Sequence, residues 1–472
     1  MKRRSFVQKA SILTAGLLSG RLLSLAAETE FPVVRRPPAL RHFTSKAVEN
    51  AISEFNAKVK NKELAWLFSN CFPNTLDTTV TYEESEGKPD TYVITGDIDA
   101  MWLRDSSAQV WSYLTFLRRD KPLRDLVAGV INRQVKNILK DPYANAFYND
   151  PARIGEWKDD MTTMQPGIHE RKWEIDSLCY PIRLSYRYWQ QTKDTSPFDE
   201  NWQESMKLIL RTFKEQQRKD NDGPYRFQRN TIWANDNLPM QGLGYPVKPV
   251  GLICSAFRPS DDATLFSFLV PSNFFAVVSL RQAAELFRLI KADEKVALEM
   301  EALALEVRQA LHKYAIINHE KYGKVYAYEV NGMGSFNLMD DANIPSLLAL
   351  PYLGAISMTD PVYLNTRKML HSEDNPFFYK GQAAEGIGGP HVGKNMIWPI
   401  SIIARALTST DDTEIKRCIQ MLQKSHGDTG FMHESFNKDD VKQFTRPWFA
   451  WANTLFGELL WKTYQERPHL LT

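Results

Sequence analysis

Helical periodicity dominates this chain and leaves it few folds to choose from. Apolar residues recur three and four positions apart in about eleven windows: 105–119, 124–140, 173–192, 200–218, 271–291, 294–315, 343–355, 361–371, 394–408, 412–424 and 440–465. That spacing gathers them on one face of a helix. The first window opens Asp105-Ser106-Ser107, a suitable N-cap run. Several windows follow one another as pairs across short turns. Strand-like runs are few, at 78–82, 91–95 and 323–330. No linker or low-complexity stretch divides the middle. The pattern predicts one large, mostly α domain with small β-hairpins in its loops.

Composition removes several function classes. The apolar fraction is 43% and the charged fraction 24%, ordinary for a soluble protein. Net charge is +2, from 58 basic and 56 acidic residues, so no general nucleic-acid or polyanion binder is expected. Aromatics reach 12%, including 12 Trp, enough for a large core and also for the flat walls on which sugars stack. Cysteines stand at 71, 179, 254 and 418. None has metal-ligand spacing, so no zinc site is expected, and they lie too far apart for a disulfide framework. Each sits in an apolar or aromatic stretch, as buried free thiols do.

The first 27 residues read as a leader. Met1-Lys2-Arg3-Arg4 is followed by an apolar run over 10–18 and by Ser24-Leu25-Ala26-Ala27, small residues suited to a signal peptidase. Arg3-Arg4-Ser5-Phe6-Val7 resembles a twin-arginine signal, with an ordinary Sec signal as the alternative. Either implies an exported protein, periplasmic or secreted, of a bacterial cell. No later run reaches about 18 apolar residues, so membrane insertion of the mature form is not expected. Residues 31–40, rich in Pro and Arg, read as an extended lead-in to a single domain over 28–472.

The loops between the helices carry the chemistry. GDIDAMWLRD (96–105), the aromatic run 186–189, RPSDDAT (258–264), AAEGIGGPHVG (383–393) and GDTGFMHESF (427–436) concentrate Gly, Asp, Trp, Arg and His. Loops have little structural call for such residues, so they point to a site. A toroid of helix pairs would gather these loops at one mouth, the shape a deep acidic sugar pocket requires. Hydrolysing a glycosidic bond takes two carboxyl groups, one to protonate the leaving oxygen and one to attack or to activate water. The candidates are Asp97, Asp99, Asp105, Asp261, Asp262, Asp340, Asp341, Glu385, Asp428 and Glu434, and chemistry alone selects no pair. Helix capping competes for every Asp, most directly for Asp340-Asp341 and Asp105.

Asp261-Asp262 is more pointed. Adjacent carboxylates repel unless one is protonated or paired, and a protonated member suits a general acid; a doubled helix cap is the alternative. Glu434, flanked by His433 and aromatics, suits a general base, against a plain surface glutamate. His391 and His433 lack a second ligand at metal spacing and fit better as sugar hydrogen-bond donors. GIGGPHVG lacks the Lys-Ser or Lys-Thr of a phosphate loop. Trp102, Trp398 and Trp448 stand equally as stacking platforms or as core.

One series of blocks has a family likeness. GDIDAMWLRDSSAQVW (96–111), WEIDSLCYP (173–181), GLICSAFRPSDDAT (251–264), VPSNFFAVVSL (270–280), DDANIPSLLALPYLG (340–354), GIGGPHVGKNMIWP (386–399), GDTGFMHESFNKDD (427–440) and FTRPWFAWANTLFGEL (444–459) together resemble glycoside hydrolase family 125, the exo-acting bacterial and fungal α-1,6-mannosidases. The likeness spans roughly residues 42 to 465. It implies an (α/α)6 barrel, and removal of a non-reducing-end mannose with inversion and without metal or other cofactor. It implies an acid at Asp261 or Asp262, with Asp261 favoured because neighbouring loop side chains point apart, and a base at Glu434. Inversion would place these carboxyls about 6.5–9.5 Å apart. The WLRD block would supply Trp102, Arg104 and Asp105 to the terminal mannose, with His391, His433 and Arg446 in the same pocket. The implied partner is a mannose-containing oligosaccharide from N-glycans or mannan, with no obligate protein partner. The alternatives are a non-catalytic mannose-binding protein, against which the presence of both carboxyl blocks argues, and a glycosidase of another specificity on this scaffold.

Overall fold

The structure is a computed structural model that describes residues 31–471; the expected leader over 1–27 lies outside them. Residues 34–472 form one compact unit, and of the preceding unit only residues 31–33 are described. Among the described residues there are fourteen α-helices and six small antiparallel sheets of two or three strands. No described helix is long and apolar enough to cross a membrane.

The long helices are of two kinds. Leu103–Trp111, Ile175–Thr192, Val270–Leu286, Pro399–Leu407 and Ala450–Glu466 are buried over most of their surface. Val270–Leu286 shows why: VPSNFFAVVSLRQAAEL has almost no polar stripe, so this helix is stable only with neighbours on all sides. Lys121–Lys140, Glu200–Gln216, Glu294–Tyr314 and Asp412–Lys424 instead bury one stripe and expose the other. The two kinds pack together. Val270–Leu286 lies against Glu294–Tyr314, and Pro399–Leu407 against Asp412–Lys424. Ile175–Thr192 touches both Leu103–Trp111 and Val270–Leu286, and Ala450–Glu466 touches both Leu103–Trp111 and Pro399–Leu407.

Their starts differ as well. Each half-exposed helix has an aspartate N-cap: Asp120, Asp199, Asp293 and Asp411 accept the N–H of Leu123, Trp202, Val296 and Thr413 at 3.1, 2.9, 3.1 and 2.8 Å. Such a cap contributes about 1 kcal/mol. The buried helices begin at Trp102, Glu174, Leu269, Trp398 and Phe449, none of which makes a side-chain cap. Three are entered from a three-stranded sheet: Met101–Trp102 with Ala146–Phe147 and Ile168–Glu170, Phe268–Leu269 with Glu329–Val330 and Phe336–Asn337, and Met396–Ile397 with Ser435–Asn437 and Phe444–Thr445. Trp102 lies in the first of these sheets, and Glu434 and Arg446 flank strands of the third.

Most predicted helices are present, with instructive differences. The window 343–355 forms turns rather than a helix. Pro345 and Pro351 withhold two backbone donors, and the Asp340 carboxylate accepts the N–H groups of Leu347 and Leu348 at 2.8 and 3.0 Å in place of helical carbonyls. The last window starts at Ala450, because 444–445 is a strand and Pro447 follows it. Four helices went unread: Lys46–Lys58 and Lys62–Cys71, capped by Ser45 and Asn61, and the short Asn74–Thr78 and Pro239–Gly242. The runs at 78–82 and 91–95 become one hairpin, Val80–Ser85 with Lys88–Val93. Its turn places Glu86 and Gly87 at positive φ (56° and 74°), as a tight hairpin turn demands. The run 323–330 splits between two sheets. Residues 31–40 are extended apart from a single turn of 3-10 helix, as expected.

Candidate active site

The entrances of two buried helices, Leu103–Trp111 and Ile175–Thr192, meet at Arg104. It lies in the first turn of Leu103–Trp111 and is 3% exposed. Its Nη1 donates to Glu174 Oε2 at 2.6 Å and to Asp176 Oδ2 at 3.2 Å, and its Nη2 to Asp261 Oδ1 at 3.2 Å. Asp105 Oδ2 lies 3.5 Å from its Nε. One guanidinium therefore serves four carboxyl groups. Burial raises Asp176 to about 6 against the pull of Arg104, and it raises Glu174 well above the glutamate range and Asp105 above its own. The guanidinium is held charged by these carboxylates although its burial opposes that. Sequence reasoning missed Glu174 and Asp176 as site residues. The signal was a pair of acids bracketing the start of a helix that is otherwise apolar over its first two turns.

The 258–262 segment is a tight turn. Asp261 N–H donates to the Arg258 carbonyl at 2.9 Å, and Arg258 N–H to the Asp262 carbonyl at 2.7 Å. Asp261 has φ 67°, a left-handed conformation that costs a non-glycine residue about 1 kcal/mol or more. Lys172 secures it: Nζ donates to the Asp261 carbonyl at 2.9 Å and is itself held by Asp236 at 2.6 Å and Glu170 at 3.4 Å. The two aspartate side chains do point apart. Asp261 turns to Arg104 with 26% of its side chain exposed, whereas Asp262 is 4% exposed. Asp262 Oδ1 accepts from Asn235 Nδ2 at 2.8 Å and lies 3.2 Å from His391 Nδ1. Its Oδ2 is buried without a hydrogen-bond partner in the protein. Beneath the turn Ser260 donates to Asp341 at 2.7 Å, and burial lifts Asp341 to about 6. Asp340 and Asp341 are thus structural supports.

Glu434 approaches from the sheet that precedes Ala450–Glu466. Thr445 Oγ1 donates to its Oε2 at 2.9 Å, and Arg446 Nη1 stands 3.5 Å from its Oε1. Arg446 is anchored by two hydrogen bonds to Asp97, the first at 2.8 Å. The charges of Glu434, Asp97 and Asp105 all act on it, which links the Glu434 side to the Arg104 side. His391, 37% exposed at its side chain, is raised to about 9: burial works against its charge, but Asp262, Glu434 and Asp261 together outweigh that. His433 is turned into the packing. Its ring stacks on Phe444 at 3.7 Å and 5°, and Nε2 lies near Thr429 Oγ1 and the His426 carbonyl. Asp99 pairs with Arg153, Asp428 with Lys442 and Glu385 with Arg405, all apart from this cluster.

The three tryptophans prove to be walls rather than open platforms. Trp102 is buried edge-on to His169, Trp398 is buried edge-on to Phe449, and Trp448 is half-buried. All three indole N–H groups are buried with no acceptor in the protein. Each precedes or begins a buried helix at the site, where a sugar hydroxyl could accept from it. The ends of those helices carry a further feature. A cavity of about 560 Å³, lined by Trp111, Arg183, Tyr352 and Glu458 among others, lies at the C-terminal halves of Leu103–Trp111, Ile175–Thr192 and Ala450–Glu466 and contains none of the groups above.

The family model for metal-independent α-mannosidases (GH125) matches residues 61–461. A fission-yeast protein from Schizosaccharomyces pombe, meiotically up-regulated gene 157 protein, is 42% identical over 460 residues, covering 93% of this chain and 90% of its own. A Streptococcus pneumoniae metal-independent α-mannosidase, solved in a non-productive complex with α-1,6-mannobiose, is 42% identical with a TM-score of 0.87, over 90% of this chain and all of its own. A bacterial glucoamylase solved with acarbose shares the fold alone, at 13% identity and a TM-score of 0.53 over 79% of this chain and 50% of its own. The yeast relative corrects one expectation. A eukaryotic protein matches nearly the whole chain, so the assignment to the periplasm of a bacterial cell does not hold.

Proposed function

The chain belongs to the metal-independent α-mannosidase family GH125 and is a glycoside hydrolase, and we propose that it removes single α-1,6-linked mannose residues from non-reducing ends with inversion. In this reading residues 28–472 are one catalytic domain. The buried helices form the inner ring of an (α/α)6 barrel and the half-exposed helices its outer ring.

One observation supports the reading: each candidate carboxyl stands against its own cationic or ring-nitrogen partner, Asp261 at 3.2 Å from Arg104, Asp262 at 3.2 Å from His391 and Glu434 at 3.5 Å from Arg446. Asp261 is the acid in this scheme, because its carboxyl is the accessible one of the pair and a proton donor must touch the glycosidic oxygen. Its proton passes to that oxygen as the bond to the anomeric carbon breaks. Glu434 takes a proton from a water that attacks the anomeric carbon from the opposite face, and β-mannose results. Arg104, Asp105 and Arg446 hold the terminal mannose. Their charged hydrogen bonds to hydroxyls are stronger than neutral ones and are directional. The natural substrates are fragments of N-glycans or mannan.

The test is proton NMR of the protein with α-1,6-mannobiose and its 1,2- and 1,3-linked isomers. β-Mannose appearing first, from the 1,6 isomer only, is the expected result. First release of α-mannose would overturn inversion, and cleavage of the other isomers at equal rate would overturn the linkage.

A further inference from the structure

The loop that braces Asp262 also holds an exposed tryptophan. Asn235 Nδ2 donates to Asp262 Oδ1 at 2.8 Å, and Ala263 N–H donates to the Asn235 carbonyl at 2.7 Å. The next residue, Asp236, pairs with Lys172 at 2.6 Å and with Arg229 at 3.2 Å, and its N–H donates to the Trp233 carbonyl at 3.1 Å. Trp233 is therefore stitched to the site at a fixed offset of two residues from Asn235. It is 66% exposed and its neighbour Ile232 is 92% exposed. Every other described tryptophan is buried or half-buried. Ile232 and Trp233 thus present two adjacent apolar side chains to solvent. An apolar patch on the rim of a polar pocket marks a contact surface.

The chemistry of the acid decides what meets it. A general acid protonates the leaving oxygen, so the sugars released as leaving group lie on the acid's side of the broken bond. We infer that Trp233, with Ile232 beside it, is a distal subsite that stacks on a mannose unit of the leaving group, beyond the one next to the cleaved linkage. This rests on the exo-mannosidase reading above. The apolar C–H face of a pyranose fits an indole face, and a tryptophan has only two side-chain torsions to fix, so stacking costs little entropy. The preferred substrate is then an oligosaccharide of three or more units rather than a disaccharide.

The experiment compares kcat/KM for α-1,6-linked mannobiose, mannotriose and mannotetraose in the wild-type protein, Trp233→Ala and Trp233→Phe. The wild type should favour the tetraose over the biose by roughly tenfold, the scale of one aromatic contact. Trp233→Ala should bring that ratio close to one, and Trp233→Phe should restore most of it. Circular dichroism checks that both variants fold, as expected for a solvent-facing position. An equal ratio in wild type and Trp233→Ala, or a wild type with no length preference, overturns the subsite. A wild type that cleaves none of the three instead sinks the exo-mannosidase reading.

Discussion

At the scale of single residues, the site is a balance of charge in which few groups act alone. Glu434 needs no partner rearrangement to lose its basicity, since glutamine keeps an acceptor for Thr445. Glu434→Gln should lower kcat by roughly 10²–10⁴ with little change in KM or melting temperature. Asp261→Asn should lose more activity than Asp262→Asn. An aryl mannoside with a good leaving group should rescue the Asp261 variant and not the Glu434 variant, because only the acid's task becomes dispensable. Steady-state kinetics on both substrates measures this, and the reverse order of the two aspartates would move the acid to Asp262. His391 supplies a pH test. Its folded-state value, about 9, lies above the ordinary 6.5, so its charge favours the fold fully below pH 6.5 and the benefit fades as pH rises through about 9. The melting temperature gap between wild type and His391→Gln should shrink over that interval. The gap should be small throughout, because solvent reaches the ring.

At the scale of elements, the two helix types divide the work. The capped, half-exposed helices carry their own start signals, so their periodicity and aspartates made them easy to read. The buried helices have no side-chain caps, and distant segments take their first N–H groups instead: Leu103 donates to the Asn145 carbonyl, Ile175 to Ser255 Oγ, Val270 to the Tyr328 carbonyl and Ala450 to the Thr95 carbonyl. Contact between elements sets its own demands. Gly129, in the middle of Lys121–Lys140, faces the Lys88–Val93 strand so closely that a Cβ would lie 2.3 Å from Thr91 Oγ1 and 2.9 Å from Thr91 N. Gly129→Ala should destabilise the protein by about 1–3 kcal/mol through overpacking, despite alanine's higher helix propensity. Urea denaturation would reveal it, and a stabilised variant would show that the strand yields. The 343–355 segment shows the converse. Its apolar spacing is helical, yet two prolines and the Asp340 carboxylate claim the backbone donors for turns.

At the scale of the whole molecule, the core runs without division through residues 34–472, and all four cysteines lie in it as free thiols. Burial pushes Cys254 up to about 11 and Cys418 to about 12, which leaves little thiolate at neutral pH. A thiol reagent should modify none of the four in the native protein and all of them after denaturation. Reductant should leave the melting temperature unchanged, and a shift on reduction would reveal a disulfide.

The amino-acid pattern by itself determined the helical class, the pairing of many helices and the positions of the chemistry-bearing loops. These are local matters of spacing, capping and composition, and the order of the blocks was enough for the family likeness. Only the tertiary structure decided which acids share a guanidinium. Arg104, Glu174 and Asp261 are separated by 70 and 157 positions from the first, and no local signal couples them. It also decided that Asp340 and Asp341 brace turns, that His433 is stacked into the packing and that Trp102 is a wall while Trp233 is open. Burial and partnership depend on how the helix entrances converge, and residues distant in sequence acquire those properties only when the chain closes on itself.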